Sequence, residues 1–331
     1  MLKDEVLALL KARQGAPLSG EAMSQALGVS RAAVWKAMET LRQEGYQIAS
    51  APRRGYLLEN SPDRLSAGEL AGALEGRTVG GTLVCLDSVD STNTEVKRRA
   101  LAGDAPDGLA VVAGEQTGGR GRRGRAFLSP AGKGLYLSVL LKPTCPLEQV
   151  STLTAWTAVA ICDAIEDLCG VRPGIKWPND VILDGRKLCG ILTELELEGE
   201  TAALRYVVVG AGLNMSQDEA DFGPEVAPVA VSLKQALGTA PRRAEAAAAL
   251  LQALDRMYAA FPAEKDAWLA RYRADCLTLG RQVRLLRKGG EEEAFARTID
   301  DDFALVVEHP DGRMETVSSG EVSVRGLLGY T

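Results

Sequence analysis

The sequence predicts an α+β protein of three parts: an N-terminal winged helix-turn-helix, a central α/β region and a small C-terminal β-barrel of the SH3-like kind. Three observations predict it. Two capped helical stretches meet at a tight Leu27-Gly28-Val29-Ser30 turn near the N-terminus. A run of four arginines and three glycines, Gly119 to Arg125, lies between two apolar, strand-like runs. From Gly280 onward the pattern changes to short strands separated by turns rich in Gly, Asp and Pro.

The totals exclude several classes. At 331 residues the chain is long enough for more than one core. With 46% apolar and 25% charged residues it reads as a soluble globular protein. The net charge of −6 argues against a surface that binds nucleic acid everywhere. The charge is uneven, because residues 1–60 carry eight Lys/Arg against six Asp/Glu, a net of +2, which leaves −8 for the remainder. Six cysteines show no CxxC pair and read as reduced core residues. A signal peptide and an apolar run of membrane-spanning length are both missing from the pattern, so a cytoplasmic setting is expected. His309, the sole histidine, falls between a strand and an Asp311-Gly312 turn, which rules out a Ser-His-Asp triad, and one histidine leaves no two-His zinc site. Any chemistry rests on charge, backbone groups and carboxylates.

Residues 2–12 have helical apolar spacing. Ser19 is placed to cap a helix that Gly28 ends, and Ser30 to cap a second running to about Glu44. Ala26, Leu27, Val29, Val34, Met38 and Leu41 are spaced to pack the pair. Arg31, Trp35, Lys36 and Arg42 are left for an outer face. Residues 46–58 then read as a β-hairpin, a wing, with a basic tip at Arg53 and Arg54. If this module binds DNA, Ser30, Arg31, Trp35 and Lys36 face the major groove or its phosphates, and Arg53 and Arg54 meet the backbone or minor groove. The alternative is a helical interaction module that never touches DNA.

After a linker-like stretch at residues 60–63, a helix is expected around Ser66 to Leu74 and a strand at Thr82 to Asp87. Short polar side chains from Ser88 to Asn93 then lead into a helix from Thr94. They read as a helix start, as hydroxyls for a ligand, or as both. Leu109–Gly114 and Gly134–Lys142 read as buried strands, so the Gly-Arg run between them is a loop between core strands. Arginine forks suit carboxylate and phosphate, and glycine lets backbone N–H groups approach a ligand. The run is therefore a candidate lid over an anionic small molecule, against a solvated basic loop or nucleic-acid patch.

A long helix over Val150–Leu168 precedes Lys176-Trp177-Pro178-Asn179-Asp180. Asp184-Gly185 between apolar runs is a hairpin signal. With Ile182 opposite Lys187, side-chain alternation places Asp180, Lys187 and Cys189 on one face. Tyr206–Met215 is a buried strand interrupted by Gly210, Gly212 and Asn214, without the GxGxxG pattern of a dinucleotide fold. Helices follow over Arg242–Tyr272.

With these pieces assembled, the chain resembles bacterial biotin protein ligases of the bifunctional type that double as biotin operon repressors. GRGRRGR, KWPND followed by RKLCGIL, and VGAGLNM carry the resemblance, which covers essentially the whole chain. It implies a winged-helix DNA-binding domain at 1–60, a class II aminoacyl-tRNA synthetase-like ligase domain at 65–275 and an SH3-like domain at 278–331. It implies ATP and Mg²⁺ as cofactors and biotin as substrate. The implied partners are a biotin carboxyl carrier protein with its acceptor lysine, operator DNA and a second copy of the chain, with no membrane. Gln116, Gly119, Arg120 and Arg122 match biotin-contacting positions, and Ser91, Thr92 and Asn93 its polar contacts. Lys187 matches the lysine between the biotin carboxylate and the α-phosphate. Arg125, Phe127, Lys176, Asn179, Asp180, Gly210, Gly212, Asn214 and Arg325 fall on the ATP or adenylate side. Lys187, Arg122 and Asp180 are the expected catalytic residues. No fixed metal ligands are implied, with Mg²⁺ arriving with ATP near Asp180. The family often has Trp where this chain has Phe127, which keeps an apolar face and loses the indole donor. The alternatives are a ligand-sensing regulator without ligase activity and a ligase for another carboxylic acid such as lipoate.

Overall fold

A computed structural model describes residues 1–13, 15–51, 54–199, 203–287, 290–318 and 323–326. The chain begins with α1 (Leu2–Ala12), α2 (Gly20–Leu27) and α3 (Arg31–Gln43). Ser19 Oγ accepts the Ala22 N–H at 3.1 Å and Ser30 Oγ that of Ala33 at 3.2 Å. Gly28 closes α2 with a φ of 64°, a left-handed turn that glycine takes without strain. β1 (Gln47–Ala51) and β2 (Gly55–Asn60) pair antiparallel. Val6, Leu7, Leu10, Met23, Val34, Met38 and Leu41 form a core of their own. Two expectations change here. Ala26 is exposed, and Met23, nearly one helical turn earlier, fills the interface. Arg42 is not on the outer face: its guanidinium donates to the Ile48 carbonyl and ties α3 to β1.

The first helix of the central region, α4 (Ala67–Leu74), lies against α1. There a Cβ on Gly68 would stand 2.6 Å from the Asp4 carbonyl oxygen, so the two helices meet backbone to backbone. Glu69 beside it has a fully buried side chain and accepts from Lys11 of α1 at 2.6 Å. Then come β3 (Leu83–Leu86), α5 (Thr92–Leu101), β4 (Ala110–Ala113), β5 (Gly134–Leu141), α6 (Leu147–Val150) and α7 (Leu153–Cys169). They are followed by β6 (Gly174–Lys176), β7 (Asp180–Leu183), β8 (Arg186–Leu197) and β9 (Leu204–Asn214). α8 (Glu219–Val226), α9 (Leu233–Leu237), α10 (Arg243–Ala260) and α11 (Lys265–Asp275) complete the region.

Its seven strands are ordered β3-β4-β5-β9-β8-β7-β6, parallel between β3 and β4 and antiparallel elsewhere. One face carries Leu135, Leu137, Val139, Val209, Ala211 and Leu213, packed with the apolar sides of α7 and α10. The other face is covered at one end by Val96 of α5 on Val111, Leu140 and Val208. Its remaining end bears glycines and polar groups, and the site forms there. No helix among the described residues is long and apolar enough to cross a membrane.

β10 (Gln282–Arg287), β11 (Gly290–Ile299), β12 (Leu305–Glu308), β13 (Met314–Val317) and β14 (Ser323–Gly326) make an antiparallel sheet ordered β13-β12-β11-β10-β14. Val283, Leu285, Ala296, Leu305 and Val307 of this sheet join the central core. His309 sits between β12 and β13, 2.8 Å from Glu315, away from the site.

Candidate active site

The floor is set by register. Gly190 of β8 opposes Gly212 of β9, and Leu192 opposes Gly210, which in turn opposes Ser138 of β5. A Cβ on Gly210 would run into Asn93 Oδ1, and one on Gly212 into the Phe127 ring. The missing side chains therefore make room for groups above the sheet.

One wall is the start of α5. That helix begins at Thr92, two residues earlier than the sequence suggests, so Ser91, Thr92 and Asn93 are all buried at its mouth. The segment before it runs beside residues 115–118, with Val89 bridged to Gln116. This alignment brings Gln116 Oε1 to the Thr92 N–H at 2.9 Å and to its hydroxyl at 3.1 Å. Ser138 Oγ lies 2.7 Å from Thr92 Oγ1 and 2.6 Å from Asn93 Oδ1. Asn93 Nδ2 donates to Glu194 at 2.7 Å, and Lys97 pairs with the same carboxylate at 2.7 Å. Burial alone would raise the Glu194 carboxyl, but the hydrogen bonds from Lys97 and Asn93 hold it below its ordinary pKa. Ser138 and Glu194 were not singled out in the sequence. Their signals are a lone serine in the run GLYLSVLL and a carboxylate two and four residues beyond Leu192 and Gly190 on the same strand face.

The Gly-Arg run is a hairpin closed over this floor. Phe127 N–H donates to the Gly119 carbonyl at 2.9 Å, Gly121 N–H to that of Arg125 at 2.7 Å, and Arg120 bridges Ala126. The tip turns at Arg123 and Gly124, with φ of 58° and 72°. Two successive positive φ values are those of a type I′ turn, closed here by the Arg125 N–H on the Arg122 carbonyl at 3.3 Å. Arg120 donates to Thr94 Oγ1 at 2.9 Å and stands 3.9 Å from Glu194. Arg122 reaches across to Asn179 Oδ1 at 3.1 Å, while Asn179 Nδ2 holds the Ile191 carbonyl at 2.8 Å. Burial and the adjacent Arg123 lower the Arg122 guanidinium's pKa, with Asp180 opposing them. The cavity beneath it is about 50 Å³ and includes Thr92, Gln116, Arg122, Phe127, Lys187 and Gly212 in its lining.

Lys187 lies opposite Ile182 as expected, and its ammonium is 2.6 Å from Asp180 and 5.9 Å from the Phe127 ring centre. The register shifts between Val181 and Ile182, however, and Cys189 pairs with Val181. That bulge turns Cys189 to the core face, where it is fully buried, instead of onto the face shared by Lys187 and Asp180.

Other expected residues stand outside the cavity lining. The Asn214 amide is spent on the Lys187 and Val231 carbonyls and its oxygen accepts from Gln217. Lys176 is buried at the end of β6, paired in register with Asp180. Arg125 is exposed on the hairpin's return side, and Gly119 closes its base. Arg325 lies in β14 opposite Arg284, with its side chain outside the described residues. In the N-terminal unit Arg31, Trp35, Lys36 and Arg54 are exposed, and Ser30 caps α3. Arg53 lies outside the described residues.

The arrangement is a closable, cation-rich pocket that can hold an anionic ligand against polar groups at one end. Family comparisons match the chain in three segments: HTH domain at 3–57, biotin/lipoate A/B protein ligase family at 85–214, and biotin protein ligase C terminal domain at 278–325. The fold and site thus define a protein ligase catalytic domain joined to a helix-turn-helix domain and a C-terminal sheet domain. The bifunctional ligase/repressor BirA of Bacillus subtilis (strain 168) is 35% identical over 316 residues, covering 94% of this chain and 95% of that protein. The BirA of Escherichia coli (strain K12) is 33% identical, over 93% and 92%. The biotin protein ligase from Aquifex aeolicus in complex with biotin and ATP superposes with a TM-score of 0.64 at 29% identity, covering 74% of this chain and 99% of that one. The chain belongs to the bifunctional ligase/repressor BirA family.

Proposed function

We propose that this protein activates biotin with ATP and transfers it to a lysine of a biotin carboxyl carrier protein, and that it represses transcription from operator DNA. The observation that carries the ligase reading is the set of cations, Lys187, Arg122 and Arg120, gathered around a glycine floor with no histidine in the cavity. Biotin's carboxylate is ionised at neutral pH and needs no general base. Its oxygen attacks the α-phosphorus, the bond to the β-phosphate oxygen breaks, and pyrophosphate leaves. The protein's task is to bring anions together and align them. Thr92, Asn93 and Gln116 orient the ring end of biotin. Lys187 meets the carboxylate and α-phosphate, Arg120 and Arg122 close over biotin, and Asn179 lies on the nucleotide side. In the second step the acceptor amine attacks the acyl carbon and AMP leaves, with Asp180 as the candidate base for that amine.

Asp180 lies beside Lys187 at the cavity's edge. One carboxylate with the triphosphate's own oxygens is a donor set that suits Mg²⁺. When bound, Mg²⁺ would neutralise charge on the triphosphate. Asn214 acts from behind, bracing the Lys187 backbone, Arg125 and Lys176 add positive charge on the nucleotide side, and the role of Arg325 there rests on the family resemblance. Working domains are assigned to 1–60, a winged helix, 65–275, of the class II synthetase type, and 278–331, an SH3-like barrel. ATP and DNA as ligands, with unpaired cysteines, fit a cytoplasmic protein. Dimerisation would use the edge of β8 beyond Gly190, which has no strand partner on the β7 side among the described residues.

Incubation with ATP, Mg²⁺ and either biotin or lipoate tests the reading. Biotinyl-AMP and pyrophosphate are expected, detected by mass spectrometry. No adenylate points to a ligand-sensing regulator, and lipoyl-AMP to a different acid. A cavity of about 50 Å³ is below the ~300 Å³ or more that ligand pockets occupy, so the hairpin must open to admit substrate. It then closes over the reactive anhydride and excludes water. Arg122→Gly removes the tie to Asn179 and is expected to speed adenylate escape, with stray lysines on bystander proteins labelled. Rapid-quench measurement of adenylate dissociation checks it, and an unchanged rate would mean the hairpin is no lid.

A further inference from the structure

Four hydrogen bonds tie the Ile175–Pro178 turn to the segment that leads into the C-terminal sheet and to that sheet itself. Leu277 N–H donates to the Ile175 carbonyl at 2.8 Å, and Tyr272 Oη to the Pro178 carbonyl at 3.2 Å. The two N–H donors of Trp177 are both spent the same way. Its backbone N–H donates to Thr278 Oγ1 at 3.0 Å, and its indole Nε1–H to the Phe303 carbonyl at 3.1 Å. Trp177, Thr278 and Phe303 are all buried.

Phe303 is held for this contact in an unusual conformation. Its φ of 60° is left-handed, which a bulky residue rarely adopts. Asp300 holds the turn by accepting the N–H groups of Asp302 and Ala304 at 2.9 Å each and that of Phe303 at 3.2 Å. The ring packs edge-on to Tyr272 at 5.6 Å and against Trp156 at 6.5 Å. A local outlier that serves a contact between two units is a sign of constraint by function.

Immediately after Trp177 and Pro178 come Asn179, which holds Arg122, and Asp180, which pairs with Lys187. We propose that Trp177 is a positioning residue for adenylate formation, fixed by Thr278 and Phe303. The C-terminal sheet thereby sets the geometry of the nucleotide side of the site through its packing. This inference rests on the ligase reading above. The biotin side, at Thr92, Gln116 and Ser138, has no part in these bonds, so the two substrates should respond differently.

Thr278→Val keeps shape and removes only the hydroxyl that accepts from Trp177. It is expected to lower kcat/KM for ATP by about tenfold, the scale of one lost buried hydrogen bond. Biotin affinity measured by calorimetry without ATP stays unchanged, and Thr278→Ser restores the rate. Trp177→Phe, which deletes the indole donor to Phe303, gives the same split and serves if Thr278→Val folds poorly. Wild-type rates in both variants overturn the proposal. So does an equal loss for biotin and ATP with a lowered Tm, because that marks a merely structural contact. If the unsubstituted protein formed no adenylate, the ligase reading would fall and this inference with it.

Discussion

Lys187→Ala is expected to slow biotinyl-AMP formation by about 100-fold or more, the scale of removing one fixed charge from a transition state. In the proposed mechanism Lys187 is the cation at which biotin's carboxylate and the α-phosphate, both anionic, meet. Its stem runs over Gly190, where any Cβ would stand 2.9 Å from Cε, and the ammonium lies over Phe127. A water molecule replacing it cannot supply the charge. The substitution also removes from Asp180 the ammonium at 2.6 Å, so its carboxylate repels incoming anions more strongly. Both effects act in the same direction. DNA affinity of the ligand-free protein stays unchanged, since the helix-turn-helix unit has a separate core. Pyrophosphate release under saturating substrates is the measurement, and a near-normal rate would remove Lys187 from the mechanism.

Local rules were the most legible. Ser19, Gly28 and Ser30 mark the ends of α2 and α3 because capping depends only on a few neighbouring residues. Asp184-Gly185 fixed the hairpin that brings Lys187 opposite Ile182. The same reasoning failed two residues later, because alternation cannot foresee a bulge and Cys189 turned inward. Asn214 shows a second limit. Sequence motif placed it at the nucleotide, but whether an amide faces ligand or braces backbone depends on α9's approach, which brings the Val231 carbonyl to it. Glu194 was illegible for a related reason. Its partners Asn93, Lys97 and Arg120 lie about 100 residues away or less far along the chain, on elements joined only by the fold.

Removal of residues 1–60 is expected to abolish specific operator binding while adenylate synthesis persists. The deleted unit carries Arg31, Trp35, Lys36 and Arg54 on its exposed surface, and its apolar core is not shared with the ligase sheet. What it leaves behind is the α4 face. Gly68 loses its contact with α1, and Glu69 loses Lys11. That carboxylate becomes hydrated and keeps Arg242 at 3.5 Å, so no charge is left buried without a partner. The proposed DNA arm calls for a second copy of the chain. One helix-turn-helix reads one half-site, and two must lie ~34 Å apart or a multiple of it. With the ligand placed in the central region, assembly is the proposed route by which its signal reaches the helices. Biotinyl-AMP is expected to close the 119–125 hairpin and promote dimerisation. Linkage then requires DNA to tighten the dimer by the factor by which dimerisation tightens DNA. The truncated protein, with β8 intact, should still dimerise on adding biotinyl-AMP. Analytical ultracentrifugation of both proteins, with and without the adenylate, decides the matter. A full-length protein that is monomeric in both states at micromolar concentration, or equally dimeric in both, would leave assembly with no role as the switch.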